Sequence, residues 1–341
     1  MAGARQRRSG WLTSAGGALG GLAALIGGGI GYSRLFVNHR LPLPAALDAE
    51  RVSFDSPTAG LLSYYVDRQA EGRPLVLIHS INAAASAYEM RPLFERYRGR
   101  RPVYALELPG FGFSARSDRN YTPELYARAI IDFLESQLSG QDAADLVTFS
   151  LSSEFAACAA LERRDLIRTL TLISPTGFSA RGQERTVQSA NRRGVSERVL
   201  RVLSFPVWSQ ALYDLLASPP SLRYFLERAF VGPVDPGLLA YSYATSHQPG
   251  ARFAPLSFIS GKLFNFSIRE TVYERLQQPV LVLYDQDVNV GFEMLPDMLE
   301  RPNWRGVRIQ PTLGLPHFER LPETAAALDQ FWQSPPQEPS S

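Results

Sequence analysis

The 341 residues, 45% of them hydrophobic, suffice for one large α/β domain with an insertion or for two ordinary domains, and exclude disorder as the default state. Charged residues make up 20% with a formal net charge of +2, and no basic run tracks an aromatic stripe, which argues against nucleic acid as a partner. The single cysteine, Cys158, permits no disulfide within the chain and lies in the apolar run 155–161, where it reads as a buried small residue.

Residues 9–33 carry no charged side chain and follow Arg5, Arg7 and Arg8. That length can cross a bilayer, and the preceding arginines favour a cytoplasmic N-terminus, so the expectation is a single-pass N-terminal anchor with the catalytic domain on the non-cytoplasmic side. The alternatives are secretion after signal cleavage, although no clean A-x-A site ends the segment, and a flexible glycine-rich tail. The expected organisation is a tail and membrane anchor over 1–40, a first core part over 41–177, a helical insertion over 178–278, a second core part over 279–333 and a disordered tail over 334–341.

Short β-rich runs at 61–66, 74–79, 102–107, 145–149, 169–174, 279–284 and 307–310 alternate with longer helical patterns. This alternation predicts an α/β fold with a mostly parallel central sheet flanked by helices. Residues 178–278 break it: they hold amphipathic stretches at 198–216 and 220–230, punctuated by Pro206, Pro219 and Pro220. A helical cap inserted between two strands would lie over the carboxyl ends of the sheet, where open α/β sheets bind ligands.

The segment Leu146-Val-Thr-Phe-Ser-Leu-Ser-Ser-Glu-Phe-Ala-Ala157 passes from a β-rich run through Ser150 into an alanine-rich helix. A strand, a tight turn with Ser at its tip and a helix make a nucleophile elbow, which favours small residues two before and two after the Ser because the turn brings backbones close together. Here those flanks are Thr148 and Ser152 instead of glycine, and the competing reading is a polar strand-helix junction with Ser150 as cap. Upstream, His79-Ser-Ile-Asn82 ends one strand and Leu108-Pro-Gly-Phe-Gly-Phe-Ser114 follows the next. With these motifs the chain, from about residue 61 to 332, resembles the α/β-hydrolase family, whose members carry H-G-x near the oxyanion hole, then L-P-G-x-G-x-S, then the elbow. Ser80 stands where the family usually has glycine. The resemblance implies an oxyanion hole built from the backbone N–H groups of Ile81 and Leu151.

A serine hydroxyl needs a base within reach and an acid to orient that base. In this fold the order along the chain is Ser, acid, His. Of the four histidines, only His317 falls late enough, in Leu315-Pro-His-Phe-Glu-Arg-Leu-Pro-Glu323, which resembles the family's histidine loop. The acid is expected after the run 279–284, where Asp285 and Asp287 compete; the family's spacing favours Asp287. Glu154, four residues past Ser150, is expected to face solvent or to pair with Arg163 or Arg164 rather than to act in catalysis.

The expected activity is hydrolysis of a carboxylic ester or related apolar acyl substrate through an acyl-enzyme on Ser150, with the triad Ser150, Asp287 and His317 and with no cofactor or metal. Tyr224, Phe225 and Phe230 suit an apolar substrate or the insertion's own core. The alternative is a catalytically silent relative that binds a lipophilic ligand or a partner at the membrane, motivated by the three departures from glycine at Ser80, Thr148 and Ser152.

Overall fold

The computed structural model describes residues 27–180 and 189–336. An eight-stranded sheet runs through the centre in the order β1-β2-β4-β3-β5-β6-β7-β8. The strands are β1 Glu50–Ser56, β2 Gly60–Asp67, β3 Leu75–Ile78, β4 Val103–Glu107, β5 Ala144–Phe149, β6 Ile167–Ile173, β7 Val280–Tyr284 and β8 Trp304–Arg308. β2 pairs antiparallel with both β1 and β4, and every other neighbouring pair is parallel.

Both faces of the central strands are apolar because successive side chains alternate between them. Val76 and Ile78 of β3 join the packing of one face, with Leu106, Leu146, Leu170 and Leu172. Leu75 and Leu77 turn to the other, with Val103, Val147 and Leu281. Helices Pro123–Gln137 and Ser152–Glu162 cover the first face, and helices Arg91–Tyr97 and Leu321–Gln333 cover the second.

Two strands depart from the sequence expectation. β1 was not anticipated, since Val52 and Phe54 are only half-buried on an edge strand whose other residues are mostly exposed. β8 spans Trp304–Arg308 rather than 307–310, because Gly306 and two arginines interrupt its apolar pattern. Between β6 and β7 the described residues are helical, with Ser189–Leu203 and Ser209–Leu216 separated around Pro206, followed by Pro219–Glu227, Pro236–Ser246, Phe253–Ile259 and Ile268–Thr271. These helices touch the loops that leave the carboxyl ends of β3 and β4. Tyr213 Oη donates to the Ala83 carbonyl at 2.7 Å, Tyr241 stacks on Tyr88 at 5.3 Å between ring centroids, and Arg116 Nη1 donates to the Thr245 carbonyl at 2.8 Å.

The membrane anchor is corrected. No helix among the described residues is long and apolar enough to cross a membrane. Residues 27–36, which include Gly27, Gly28, Gly29 and Gly31, are helical, and the remainder of the expected span lies outside the described residues. Ser33, the last residue of that span, is buried against protein and donates to Asp214 Oδ2 at 2.5 Å, while His39 Nε2 lies 2.9 Å from the same carboxylate. A residue hydrogen-bonded to a buried Asp is not facing lipid, so the assignments of a membrane partner and of a non-cytoplasmic location through this segment are withdrawn.

The loop after β4 shows how backbone freedom is used near the site. Gly112 has φ 55°, and its neighbour Phe113 donates its N–H to Glu107 Oε2 at 2.7 Å. A Cβ at Gly112 would overlap the Glu107 carboxylate. Gly112→Ala therefore meets both left-handed strain and a steric conflict and is expected to cost about 1–3 kcal/mol. Urea unfolding of the variant measures this, and an unchanged midpoint would show that the loop relaxes freely.

Candidate active site

Ser150 stands between the end of β5 and the helix Ser152–Glu162 with φ 57°, in the left-handed region that non-glycine residues rarely occupy. The turn is held from both sides: Ser150 N–H donates to the Ile173 carbonyl at 2.8 Å, and its own carbonyl accepts from Ser153 N at 3.1 Å. The two non-glycine flanks take part in this. Ser152 Oγ donates to the Phe149 carbonyl at 2.8 Å and accepts from Phe149 N at 3.2 Å, while Thr148 Oγ1 donates to the Thr171 carbonyl at 3.2 Å and lies 3.1 Å from Ser153 Oγ. The Ser152 hydroxyl satisfies the Phe149 backbone at the turn, and the Thr148 hydroxyl ties the end of β5 to the Thr171 carbonyl of β6. Both side chains are buried, so the elbow accommodates their bulk.

Ile81 and Leu151, expected as oxyanion-hole donors, are both buried, and neither backbone N–H has a hydrogen-bond partner among the described residues. The segment around Ile81 is tightly fixed. His79 Nδ1–H donates to the Ser80 carbonyl at 2.6 Å while His79 Nε2 accepts from Leu108 N at 3.0 Å, which sets its tautomer. Burial lowers His79 to about 4, so it is neutral at pH 7. Glu89, in the short 3₁₀ turn Ala87–Met90, accepts from Ser80 N at 2.8 Å and from Asn82 Nδ2 at 2.7 Å.

The two competing carboxylates after β7 have different surroundings. Asp285 accepts from Arg308 Nε at 2.7 Å and from Thr312 N at 2.8 Å, so both its oxygens are committed to the neighbouring strand and loop. Asp287 Oδ1 accepts from Asn289 N at 2.7 Å and Val290 N at 3.2 Å, and burial raises its pKa. Its Oδ2 faces Gly314 so closely that a Cβ there would lie 2.8 Å away, which places Asp287 against the segment that carries His317. Ser174, with φ 44°, ties the same segment to the end of β6 through Oγ to the Gly314 carbonyl at 2.9 Å.

His317 is fully buried in the short helix Pro316–Glu319. Its ring packs edge-on against Phe149, the residue before Ser150, with centroids 5.2 Å apart. Nε2–H donates to the Glu89 carbonyl at 2.8 Å, and Nδ1 has no partner among the described residues. Burial lowers its pKa to about 4, so the neutral base is the form present at pH 7. His317 thus packs against the residue before Ser150, and Asp287 lies against the segment that carries His317, but no hydrogen bond joins any two of Ser150, Asp287 and His317.

Glu154 is neither solvent-facing nor paired with arginine. It is 2% exposed, bonded to Thr176 Oγ1, and accepts from Asn265 N at 2.9 Å, while Arg163 pairs with Asp165 and Glu135. With Asp287, Thr176, Arg269 and Met294 it lines a cavity of about 450 Å³ between the loops after β6 and β7 and residues 264–270 of the inserted segment. Cys158 is half-buried, and burial pushes its thiol up to about 12. Glu89 and Glu154 were not singled out for these contacts by the sequence, whose only hint was a lone carboxylate in an otherwise small or apolar run.

The family model described as "Alpha/beta hydrolase family" matches residues 75–327, and the chain belongs to that family. A curated relative named "Uncharacterized hydrolase YugF", from Bacillus subtilis (strain 168), is 32% identical over 124 residues, which cover 36% of this chain and 44% of that protein. The chain therefore matches less than half the length of this relative. Among solved structures, a serine hydrolase involved in carbazole degradation (CarC enzyme) superposes with TM-score 0.63 at 17% identity, covering 83% of this chain and 99% of that one. An esterase from Thermogutta terrifontis gives 0.60 at 21% identity, covering 84% and 98%. At these identities the two structures share the fold.

Burial raises Glu154 from 4.5 to about 7. The native state then keeps a proton that the unfolded chain releases, so this group's contribution to stability is full below about 4.5 and is lost as pH rises through about 7. Relative to Glu154→Gln, the wild type is expected to lose about 1.4 kcal/mol per pH unit within that window and to run parallel above it. Urea unfolding of both proteins across the range measures the difference, and parallel curves throughout would contradict it.

Proposed function

We propose that this chain is a serine hydrolase that cleaves carboxylic esters or related apolar acyl compounds through an acyl-enzyme on Ser150. The observation that carries the reading is the left-handed backbone at Ser150, a strained conformation that presents a hydroxyl at the tip of a strand-turn-helix. The unpartnered Ile81 and Leu151 N–H groups supply the donors that a tetrahedral intermediate requires. The two solved structures of this fold, a serine hydrolase and an esterase, agree with this reaction class.

In the proposed reaction Ser150 Oγ attacks the acyl carbon as His317 takes the hydroxyl proton. The proton passes to the leaving oxygen as its bond to carbon breaks. Water, deprotonated by His317, then attacks the acyl carbon, and His317 returns that proton to Ser150 Oγ as its bond to the acyl carbon breaks, releasing the acid and free Ser150. To act in this way the His317 ring leaves the Glu89 carbonyl and turns toward Ser150, with Asp287 accepting its other ring N–H across Gly314.

The second reading, a family member without turnover, is favoured by one observation: His317 is bonded to Glu89 and Asp287 to its own turn, so no proton relay is formed. A fluorophosphonate probe separates the two. Labelling that disappears in Ser150→Ala supports the hydrolase, whereas absence of labelling, or equal labelling of Ser150→Ala, supports the second. On an aryl ester, Asp287→Asn is expected to lower turnover by about 10³–10⁴, and Asp285→Asn to leave it within about tenfold. The reverse order would move the acid to Asp285.

A further inference from the structure

Glu89 is a buried carboxylate, 6% exposed, with no cation bonded to it among the described residues. Burial of an unpaired carboxylate is unfavourable unless hydrogen bonds compensate it. Its compensating donors are not scattered: Ser80 N at 2.8 Å and Asn82 Nδ2 at 2.7 Å flank Ile81 on either side. Asn82 Nδ2 also donates to Ser80 Oγ at 2.8 Å, and Asn82 Oδ1 accepts from Ala84 N at 2.7 Å, which closes the loop on itself.

The Ile81 N–H belongs to the same planar peptide unit as the Ser80 carbonyl, and in a trans peptide the two point in opposite directions. His79 Nδ1–H holds that carbonyl at 2.6 Å, and Glu89 holds the Ser80 N–H that precedes it and the Asn82 side chain that follows it. The direction of the Ile81 N–H is therefore set by contacts to Glu89 and His79.

We propose that Glu89 is a positioning residue for the oxyanion-stabilising segment, its carboxylate holding Ser80 and Asn82 so that the Ile81 N–H meets the developing oxyanion. The proposal rests on the reading of Ser150 as nucleophile. Only the ionised form accepts both bonds without competition, because a protonated carboxyl turns one acceptor into a donor.

Burial raises Glu89 from 4.5 to about 6. Facing this turn are His79 from the end of β3, His317 at the Glu89 carbonyl, Glu107 at the end of β4, Asp235 as N-cap of the helix Pro236–Ser246 and Tyr241 within that helix; Tyr88 and Arg91 lie close to Glu89 in the chain. His79 and His317 are both lowered to about 4 and stay neutral near pH 6, while Glu107 is raised to about 7 and is bonded to Phe113 N instead. An acid limb near pH 6 that vanishes in Glu89→Gln thus belongs to Glu89.

The test is the rate of fluorophosphonate labelling of the full chain from about pH 5 to about pH 8, for wild type, Glu89→Gln and Asn82→Ala, with melting temperatures alongside. Wild-type labelling is expected to fall as pH drops through about 6. Glu89→Gln is expected to label about tenfold to a hundredfold more slowly at pH 7.5 and to lose that limb while its melting temperature stays near that of wild type. Asn82→Ala removes one of the two donors, stands in should Glu89→Gln not fold, and is expected to label several-fold more slowly. Labelling of either folded variant at the wild-type rate with the same limb overturns the positioning role. A wild type that is not labelled at any pH overturns the nucleophile reading and this inference with it.

Discussion

The left-handed backbone at Ser150 costs on the order of 1–2 kcal/mol for a residue with a Cβ, and the surrounding structure has to supply that energy. It does so locally, through the Ile173 carbonyl on the neighbouring strand and through the Ser152 hydroxyl bonded to both backbone groups of Phe149. Because β5 lies in the middle of the sheet, between β3 and β6, the turn is anchored by parallel strands on either side. The loops at the carboxyl ends of β3, β6, β7 and β8 are arranged around that point.

Three buried glutamates fasten loops in the same manner, each by accepting a backbone N–H: Glu89 from Ser80 nine residues earlier, Glu107 from Phe113 in the loop that follows its own strand, and Glu154 from the distant Asn265. Each is held above its usual range by burial, to about 6 for Glu89 and to about 7 for the other two. A carboxylate is suited to this task because it accepts several hydrogen bonds at once and binds donors more strongly than a neutral oxygen does. These carboxyls therefore change protonation in a range where the buried histidines, His79 and His317, remain neutral.

Much of this architecture was legible in the amino-acid order, for definite physical reasons. Strands buried on both faces announce themselves as continuous apolar runs, as at Leu75–Ile78 and Val280–Tyr284. β1 did not, because an edge strand with one half-buried face has a weak pattern. The elbow was recognisable from its neighbours although Thr148 and Ser152 replace glycine, but nothing in the sequence shows that the Ser152 hydroxyl bonds to the Phe149 backbone and the Thr148 hydroxyl to the Thr171 carbonyl of β6. The N-terminal apolar stretch misled, since hydropathy counts residues without knowing that Ser33 is buried against Asp214. The order Ser, Asp, His could be read directly, but the bond from His317 to Glu89 joins residues 228 apart and leaves no local signature.

The central claim is that Ser150 carries an acyl group during turnover. Brief incubation with an excess of a short-chain aryl ester, acid quenching and peptide mass analysis would test it most directly. The account predicts an added acyl mass on the peptide that contains Ser150, absent when that residue is alanine. An unmodified Ser150 peptide under conditions in which the ester is consumed, or an adduct on another residue, would contradict it.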